Sequence, residues 1–281
     1  MTTRLFMSSL LAVALAAASS PAQEFPPPTL HRHADITGLW ASGTGSSSLN
    51  IEPGVHLLKQ GAPPFSALNT TRTIVLDPPD GILPYQPWAL ERRNTAMKEF
   101  TAPSPAYMDP QTRGWPNGVP RANFYTSCDS TVGGPLQIMQ PPGHVAFLYE
   151  THHEFRLVPL DGRSHPGKDI KLWMGASRGR WEGNTLVVDL RNTNDATRFD
   201  VVANFHSDEM RITERWTLLD KDTLQYRATI EDPKVYTRPW TIGVTHKRCP
   251  PGTEIMEYAA VEGEKHTEEA EAIRRSKGLI K

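Results

Sequence analysis

The sequence predicts an all-β protein whose core is an antiparallel meander closed into a barrel. A proline-rich half dominated by loops precedes this core, and a short helix follows it. Between residues 135 and 258, apolar and polar residues alternate with the period of two that strands produce. Turn sequences such as Asp161-Gly162 separate these runs at short intervals, which is typical of consecutive hairpins. Because a meander exposes two strand edges, closure into a barrel is its simplest stable form.

Residues 1–22 have the pattern of a signal peptide. Arg4 precedes an apolar run, "LFMSSLLAVALAAA", which is shorter than the roughly 20 residues that a membrane span needs. Ser20-Pro21-Ala22 then offers small residues at the cleavage position, and residue 23 is Gln rather than a lipid-carrying Cys. We therefore expect a secreted or periplasmic protein with no membrane span after signal removal.

Residues 23–134 are expected to wrap the barrel rather than to build it. Runs such as "EFPPPTL", "LDPPDGILPYQPW" and "GWPNGVPR" hold many of the 25 prolines, which limits regular structure. First strands are predicted near 36–42 and 71–77, and "PWALERRNTAMKEF" predicts one short helix that begins at Pro87. The Gly38-Leu39-Trp40 run resembles the first-strand motif of lipocalin-like barrels.

Residues 135–258 contain the predicted meander, and residues 259–281 are expected to form a helix that packs outside the barrel or a frayed tail. Hairpin turns are predicted at Glu182-Gly183-Asn184 and at Lys221-Asp222. Alternation then selects the side chains that face the barrel interior. The predicted inward residues of the last three strands are Met210, Ile212, Glu214, Trp216 and Leu218, then Leu224, Tyr226, Ala228 and Ile230, then Trp240, Ile242, Val244 and His246. Further inward residues are expected in two earlier runs: Val145, Phe147, Tyr149, Thr151, His153, Phe155 and Leu157, and Ile170, Leu172 and Met174.

Two inward residues are candidates for proton transfer. Glu214 among apolar neighbours is costly unless it is paired or protonated, and His153 offers an imidazole, the side chain that most often transfers protons in enzymes. A carboxyl and an imidazole in one aromatic-walled cavity would suit acid–base chemistry on a small ligand. The alternative is that each is satisfied by a cross-strand Arg or Tyr and only fixes the register.

A second polar cluster lies at "VANFHSDEM". His206 and Asp208 share the parity of Met210, so they are predicted to continue the Glu214 face towards a barrel mouth. Three residues in one tripeptide do not form a Ser/His/Asp relay, whose members converge from separate elements. As metal ligands, His206 and Asp208 would need a third partner such as His153. We expect no metal and no cofactor.

The net charge argues against a nucleic-acid partner, and the sequence does not decide whether the two cysteines are bonded. A formal net charge of −1 gives no electrostatic basis for nucleic-acid binding. Cys128 and Cys249 are an even pair in an exported chain, so one disulfide is allowed, and two separate core cysteines are the alternative.

Several longer runs together resemble a family of exported bacterial β-rich proteins: "DPPDGILPYQPWALERR", "GHVAFLYETHHEFRLVPLDGRSHP", "WMGASRGRWEGNTLVVDLRNTND", "NFHSDEMRITERWT" and "ATIEDPKVYTRPW". The positions that match this pattern are Glu150, His153, Arg156, Ser177, Arg178, Trp181, Glu182, His206, Asp208, Glu214 and Arg215. Ala176 departs from it, because an acidic residue is expected there. The resemblance implies a shared exported β-rich architecture and no particular reaction.

We interpret the chain as a cofactor-independent acid–base enzyme of lyase, isomerase or hydrolase type. Its substrate would be a small, partly aromatic or carbonyl-bearing molecule. The catalytic candidates are His153, Glu214, His206 and Asp208, and the substrate-binding candidates are Tyr149, Arg156, Arg178, Tyr226 and Trp216. Two alternatives stay open: a non-catalytic carrier of a small hydrophobic ligand, and an interaction protein whose proline-rich half docks onto a partner.

Overall fold

The computed structural model describes residues 33–42, 50–61, 71–99, 102, 104, 107–130, 133–258 and 265–281. The expected signal peptide, residues 1–22, lies outside these described residues, and so does the "EFPPPTL" run. Within the described part of the chain, no helix is long and apolar enough to cross a membrane.

Antiparallel strands form a nearly closed barrel, which confirms the predicted fold class. The strands are β1 (Gly38–Ala41), β2 (Val75–Asp77), β3 (Leu136–Met139), β4 (His144–Tyr149), β5 (Phe155–Pro159), β6 (Ala176–Glu182), β7 (Thr185–Arg191), β8 (Arg211–Asp220), β9 (Thr223–Glu231) and β10 (Trp240–Arg248). Nine of them follow one another around the barrel in the order β5-β4-β3-β1-β10-β9-β8-β7-β6, and β2 pairs with β10 beside this path. Strands that are consecutive in the chain are therefore mostly neighbours, and the main exception is β1, which lies between β10 and β3.

The barrel is nearly closed where β6 approaches β5, and a glycine makes this approach possible. A Cβ atom on Gly179 would lie 2.6 Å from a methyl carbon of Val158 and 2.8 Å from one of Leu160. A side chain at this position would have to displace Val158 or Leu160, and glycine lets β6 come this near to β5 without that displacement.

In the described part of the chain, four helices accompany the barrel: α1 (Gly54–Lys59), α2 (Pro87–Lys98), α3 (Arg121–Phe124) and α4 (His266–Ser276). Short 3-10 turns lie at Pro110–Arg113 and Thr151–His153. The helix predicted from "PWALERRNTAMKEF" is α2, and Pro87 occupies its first turn as expected. The predicted C-terminal helix is α4, whose Arg274 donates to the carbonyl oxygen of Ala102 at 2.9 Å.

Alternation predicts the interior of the last three strands well. The predicted inward side chains of β9 are fully buried, and those of β10 are buried as well. In β8 the same holds through Trp216, while Leu218 is only partly buried. Both predicted hairpin turns are present, since β7 starts three residues after β6 ends and β9 starts three residues after β8 ends.

The strand predicted before "GASRGR" is wrong in its first part. Alternation predicts that Ile170 and Leu172 face the core, but they are 51% and 40% exposed. The cause is local: β6 begins only at Ala176, after Gly175 takes a left-handed φ of 66°. Residues 170–174 therefore form a loop, and of its three predicted inward residues only Met174 packs, partly buried, against the core.

Cys128 and Cys249 form a disulfide, with their Cα atoms 5.5 Å apart. This bond links the segment after α3 to the end of β10. It settles the alternative that the sequence leaves open, and it joins residues that are 121 positions apart in the chain.

Candidate functional site

A buried polar network occupies the barrel interior around Glu214. Arg156 donates from Nη1 to Glu214 Oε1 at 3.1 Å and from Nη2 to Oε2. Oε1 also accepts from Asn123 Nδ2 at 2.6 Å and from the Tyr226 hydroxyl at 2.9 Å. The Tyr149 hydroxyl donates to Asn123 Oδ1 at 2.6 Å. Both oxygens of Glu214 are thus occupied by donors, and its charge faces a guanidinium.

Helix α3 inserts into the barrel and completes this network. All four of its residues are buried, and His246 on β10 donates from Nε2 to the carbonyl oxygen of Asn123 at 2.6 Å. Burial lowers the pKa of His246 to about 4, so the imidazole is neutral at pH 7. With Nε2 protonated, Nδ1 is the unprotonated nitrogen of this ring.

Five sequence-predicted site residues meet here, although alternation predicts Arg156 on the outer face. They are Glu214, Tyr149, Arg156, Tyr226 and Trp216, and the Trp216 ring lies 4.3 Å from that of Tyr226. Their side chains are buried together with that of Asn123.

The inward orientation predicted for His153 is wrong. The strand predicted to run from 144 to 157 is broken by the Thr151–His153 turn, where His152 and His153 have left-handed φ values of 57° and 51°. This break reverses the parity of the next strand: Arg156 faces the interior, while Phe155 and Leu157 are exposed. His153 is itself exposed, so it shares no pocket with the fully buried Glu214.

His206 and Asp208 do not continue the Glu214 face. His206 is buried between the Thr197 hydroxyl, 2.7 Å from Nε2, and the carbonyl oxygen of Ser207, 3.0 Å from Nδ1. Burial lowers the pKa of His206. Asp208 is instead on the surface, where it pairs with Lys171 at 3.1 Å and with Lys234 at 3.2 Å. The predicted parity fails because residues 206–210 form a turn and β8 starts only at Arg211.

The remaining candidate, Arg178, has structural partners. It donates from Nε and Nη2 to the carbonyl oxygen of Ser164, at 2.9 and 2.7 Å, and so ties β6 to the preceding loop. Among the described residues, no group of three or more His, Cys, Asp or Glu side chains could hold a metal ion.

The structure reveals a second buried carboxyl that sequence reasoning missed. Glu154 lies between the Thr151–His153 turn and β5, and its side chain is 2% exposed. Its Oε1 accepts from the backbone N–H of Asn117, whereas Oε2 has no hydrogen-bond partner among the described residues. Burial raises the pKa of Glu154 to about 8. This carboxyl is therefore mostly protonated at pH 7.

His152 lies beside this carboxyl in a neutral state. Its Nε2 donates to the carbonyl oxygen of Gln111 at 3.3 Å, and its Nδ1 accepts from Asn117 Nδ2 at 3.5 Å. Nδ1 is also 4.0 Å from Glu154 Oε1. Burial lowers the pKa of His152, so this contact joins a neutral imidazole to a protonated acid rather than two ions.

The surroundings of this pair carry further unpaired polar atoms and exposed rings. Asn117 Oδ1 and Arg121 Nε have no hydrogen-bond partner within the described part of the chain. Two residues before Asn117 lies Trp115, which is 37% exposed. Its ring is edge-on to that of Trp173, with ring centroids 5.5 Å apart. The Arg113 guanidinium stacks on the Trp115 ring at 3.9 Å.

These features together define the candidate site, which we call the acid–base loop: His152 and Glu154 with Asn117. A protonated carboxyl can donate a proton, and an unprotonated imidazole nitrogen can accept one. Two consecutive non-glycine residues in left-handed conformation are uncommon and cluster at functional positions. In the sequence, only the repeated polar residues of "ETHHE" indicate that this segment does not continue as a strand.

Comparison of the chain with models of protein families, with curated proteins and with solved structures finds no match. The family resemblance predicted from the sequence therefore stays a prediction, and the geometry of the acid–base loop is the basis for assigning a function.

Proposed function

We propose that this protein is a cofactor-independent acid–base catalyst that acts on a small carbonyl-bearing, partly aromatic molecule at the acid–base loop. One observation carries the proposal. Glu154 is a buried carboxyl whose pKa is raised to about 8, and its Oε2 lacks a partner among the described residues. Its Oε1 lies 4.0 Å from Nδ1 of His152, which is unprotonated. Groups with such displaced pKa values, held side by side, are the usual means of general acid–base catalysis.

The reaction that fits this pair is proton transfer at the carbon next to a carbonyl group. His152 Nδ1 accepts a proton from that carbon while Glu154 donates its proton to the carbonyl oxygen. The C–H bond breaks, its electrons form the C=C bond of the enol, and the C=O bond becomes C–OH. His152 is then protonated and Glu154 is ionised, and proton return in the opposite sense restores both groups.

Three neighbouring groups support a ring-bearing substrate. Asn117 Oδ1 is an acceptor for a substrate hydroxyl, and the exposed ring of Trp115 offers an apolar surface for an aromatic ring. Arg113, stacked on that ring, offers a cation for an anionic substituent. Arylpyruvates carry the ring and the anionic group, and their enol form supplies the hydroxyl, so they are the first substrates to test.

The proposal includes export from the cytoplasm. The apolar run before Ser20-Pro21-Ala22 supports it, and a disulfide between Cys128 and Cys249 is typical of oxidising compartments. Mass spectrometry of protein from the extracellular or periplasmic fraction tests this part, because cleavage after Ala22 leaves a chain that begins at Gln23.

Proton exchange in D2O tests the catalytic proposal, because it reports the first proton transfer and does not require the complete reaction to be identified. The purified protein is incubated with phenylpyruvate and with aryl ketones, and proton NMR follows the loss of the signal next to the carbonyl. We expect exchange above the buffer rate in the wild type. Glu154→Gln and His152→Asn should each lower the rate by roughly 10²- to 10⁴-fold, the usual contribution of a general acid or base.

Matched controls separate this chemistry from a general effect of substitution. Glu182→Gln changes an exposed carboxylate, and His144→Gln changes a histidine at the start of β4. Both variants should exchange at the wild-type rate. Wild-type rates in Glu154→Gln and His152→Asn, measured with folded protein, would refute the assignment of the acid–base loop.

A further inference from the structure

We propose that residues 250–258, hereafter the strap, are a lid over the acid–base loop, and that His153 is the latch that holds this lid closed. This inference rests on the proposed function only in the role given to the lid. The contacts that define it, and the test below, do not require turnover.

The strap is fixed at one end and lightly held at the other. At its start, Cys249 is bonded to Cys128, and the Cys249 N–H donates to the carbonyl oxygen of Leu39 at 2.8 Å. Towards its end, the N–H of Met256 donates to Glu150 Oε2 at 2.8 Å, and the N–H of Tyr258 donates to His153 Nε2 at 3.1 Å.

Little apolar burial supports these contacts. The strap contains no helix or strand, most of its residues are exposed, and Met256 is 57% exposed. Among the described residues, polar contacts and one ring contact attach it to Glu150 and to the Thr151–His153 turn. Segments held in this way open at far lower cost than the strands of a core.

The ring contact places the strap directly on the candidate site. The Tyr258 ring lies 5.1 Å from the His152 ring, at an interplanar angle of 57°. The side chains of His152 and Glu154 are each only 2% exposed, so a substrate reaches them only after a covering group moves. Among the described residues, two hydrogen bonds and this ring contact hold residues 256–258 in place, so the strap is suited to such movement.

This arrangement explains the left-handed backbone conformation of His153. The left-handed conformation at His153 takes its side chain out of the barrel, and its Nε2 then accepts the strap N–H. A regular strand through this position would instead point the side chain into the core, as the alternation predicts. We infer that His153 is a positioning residue for the lid and not a catalytic residue.

Hydrogen exchange measured by mass spectrometry tests the latch in the full-length protein. In His153→Ala, amides of 252–258 should exchange roughly 2- to 12-fold faster than in the wild type, which corresponds to the loss of one neutral hydrogen bond. Amides of β10 should be unchanged. His153→Gln restores an acceptor at the position of Nε2 and should return the strap to near wild-type protection.

Labelling with diethylpyrocarbonate tests the covering role, because this reagent modifies accessible neutral imidazoles and mass spectrometry resolves each site. His152 should be labelled faster in His153→Ala and in Tyr258→Ala, and at the wild-type rate in the His144→Ala control. Unchanged strap exchange in His153→Ala would refute the latch, and unchanged labelling of His152 in Tyr258→Ala would refute the lid. If proton exchange on carbonyl compounds were absent while these changes occurred, the proposed function would fail and the lid would stand.

Discussion

The most direct test of the barrel interior is Arg156→Met, which removes one partner of a fully buried ion pair. The side chains of Arg156 and Glu214 are 2% and 0% exposed. After substitution, Glu214 Oε1 keeps its donors Asn123 and Tyr226, whereas Oε2 loses the donor that Arg156 provides. An uncompensated buried charge of this kind costs about 3–5 kcal/mol of folding free energy. At roughly 2–4 °C per kcal/mol for a domain of this size, the melting temperature should fall by about 6–20 °C.

Urea denaturation and thermal unfolding followed by circular dichroism measure this loss. Arg180→Ala is the matched control, because Arg180 and Glu182 form a surface pair with side chains 62% and 40% exposed. This control should change stability by less than about 1 kcal/mol. In Arg156→Met with Glu214→Gln, the charge is gone and an amide oxygen still accepts, so the double variant should be more stable than Arg156→Met alone. An Arg156→Met protein as stable as Arg180→Ala would refute the interpretation of the pair as a buried, compensated charge.

The disulfide, the raised pKa of Glu154 and a tightly packed glycine each allow a further test. Replacing both cysteines by Ala should lower the free energy of unfolding by about 2–5 kcal/mol in urea titration, since the bond joins residues 121 positions apart. Between pH 7 and 8 the stability of the wild type should fall as pH rises. The reason is that the folded-state pKa of Glu154 is raised to about 8, whereas the unfolded chain has already lost this proton. Asp200, whose pKa is raised to about 7, titrates mostly below this pH range. Glu154→Gln should flatten that slope, and an unchanged slope would exclude Glu154 as its cause. Gly118→Ala should lower the free energy of unfolding by about 1–3 kcal/mol more than Gly183→Ala. Both glycines have a left-handed φ, but only at Gly118 would the new methyl group lie 2.6 Å from Thr197. Equal melting temperatures of the two variants would exclude this clash.

Continuous strands make the sequence predictive, and β8 with β9 show why. Alternation runs through β8 from Ile212 to Trp216 without a break, so parity alone places Glu214 and Trp216 inside. Tyr226 follows in the same way on β9. For these strands the burial of each side chain is a local property of the period, and it does not depend on which distant residues pair with them.

The acid–base loop could not be predicted in this way, because its geometry depends on distant contacts. Parity favours Phe155 and Leu157 as inward residues, yet they are 72% and 51% exposed while Arg156 faces the interior. The reason is the charge of Glu214, which lies 58 positions from Arg156 in sequence and accepts hydrogen bonds from both of its Nη atoms. A pair of this kind selects the register of β5 against the apolar preference, and the preceding turn absorbs the shift of one residue.

Two buried carboxyls thus have opposite physical situations on neighbouring parts of the fold. Glu214 receives donors on both oxygens and a full countercharge, so removing its partners should cost stability. Glu154 receives a donor on Oε1 while Oε2 lacks a partner among the described residues, so its protonated form is favoured and its proton is available for transfer. Because Arg156 and Glu154 are separated by one residue, the shift that brings the first into the barrel also places the second beside His152. The pairing that stabilises the barrel therefore also builds the loop to which we assign the chemistry. Glu154→Gln should remove the chemistry and leave the barrel intact, whereas a substitution at Arg156 should affect both.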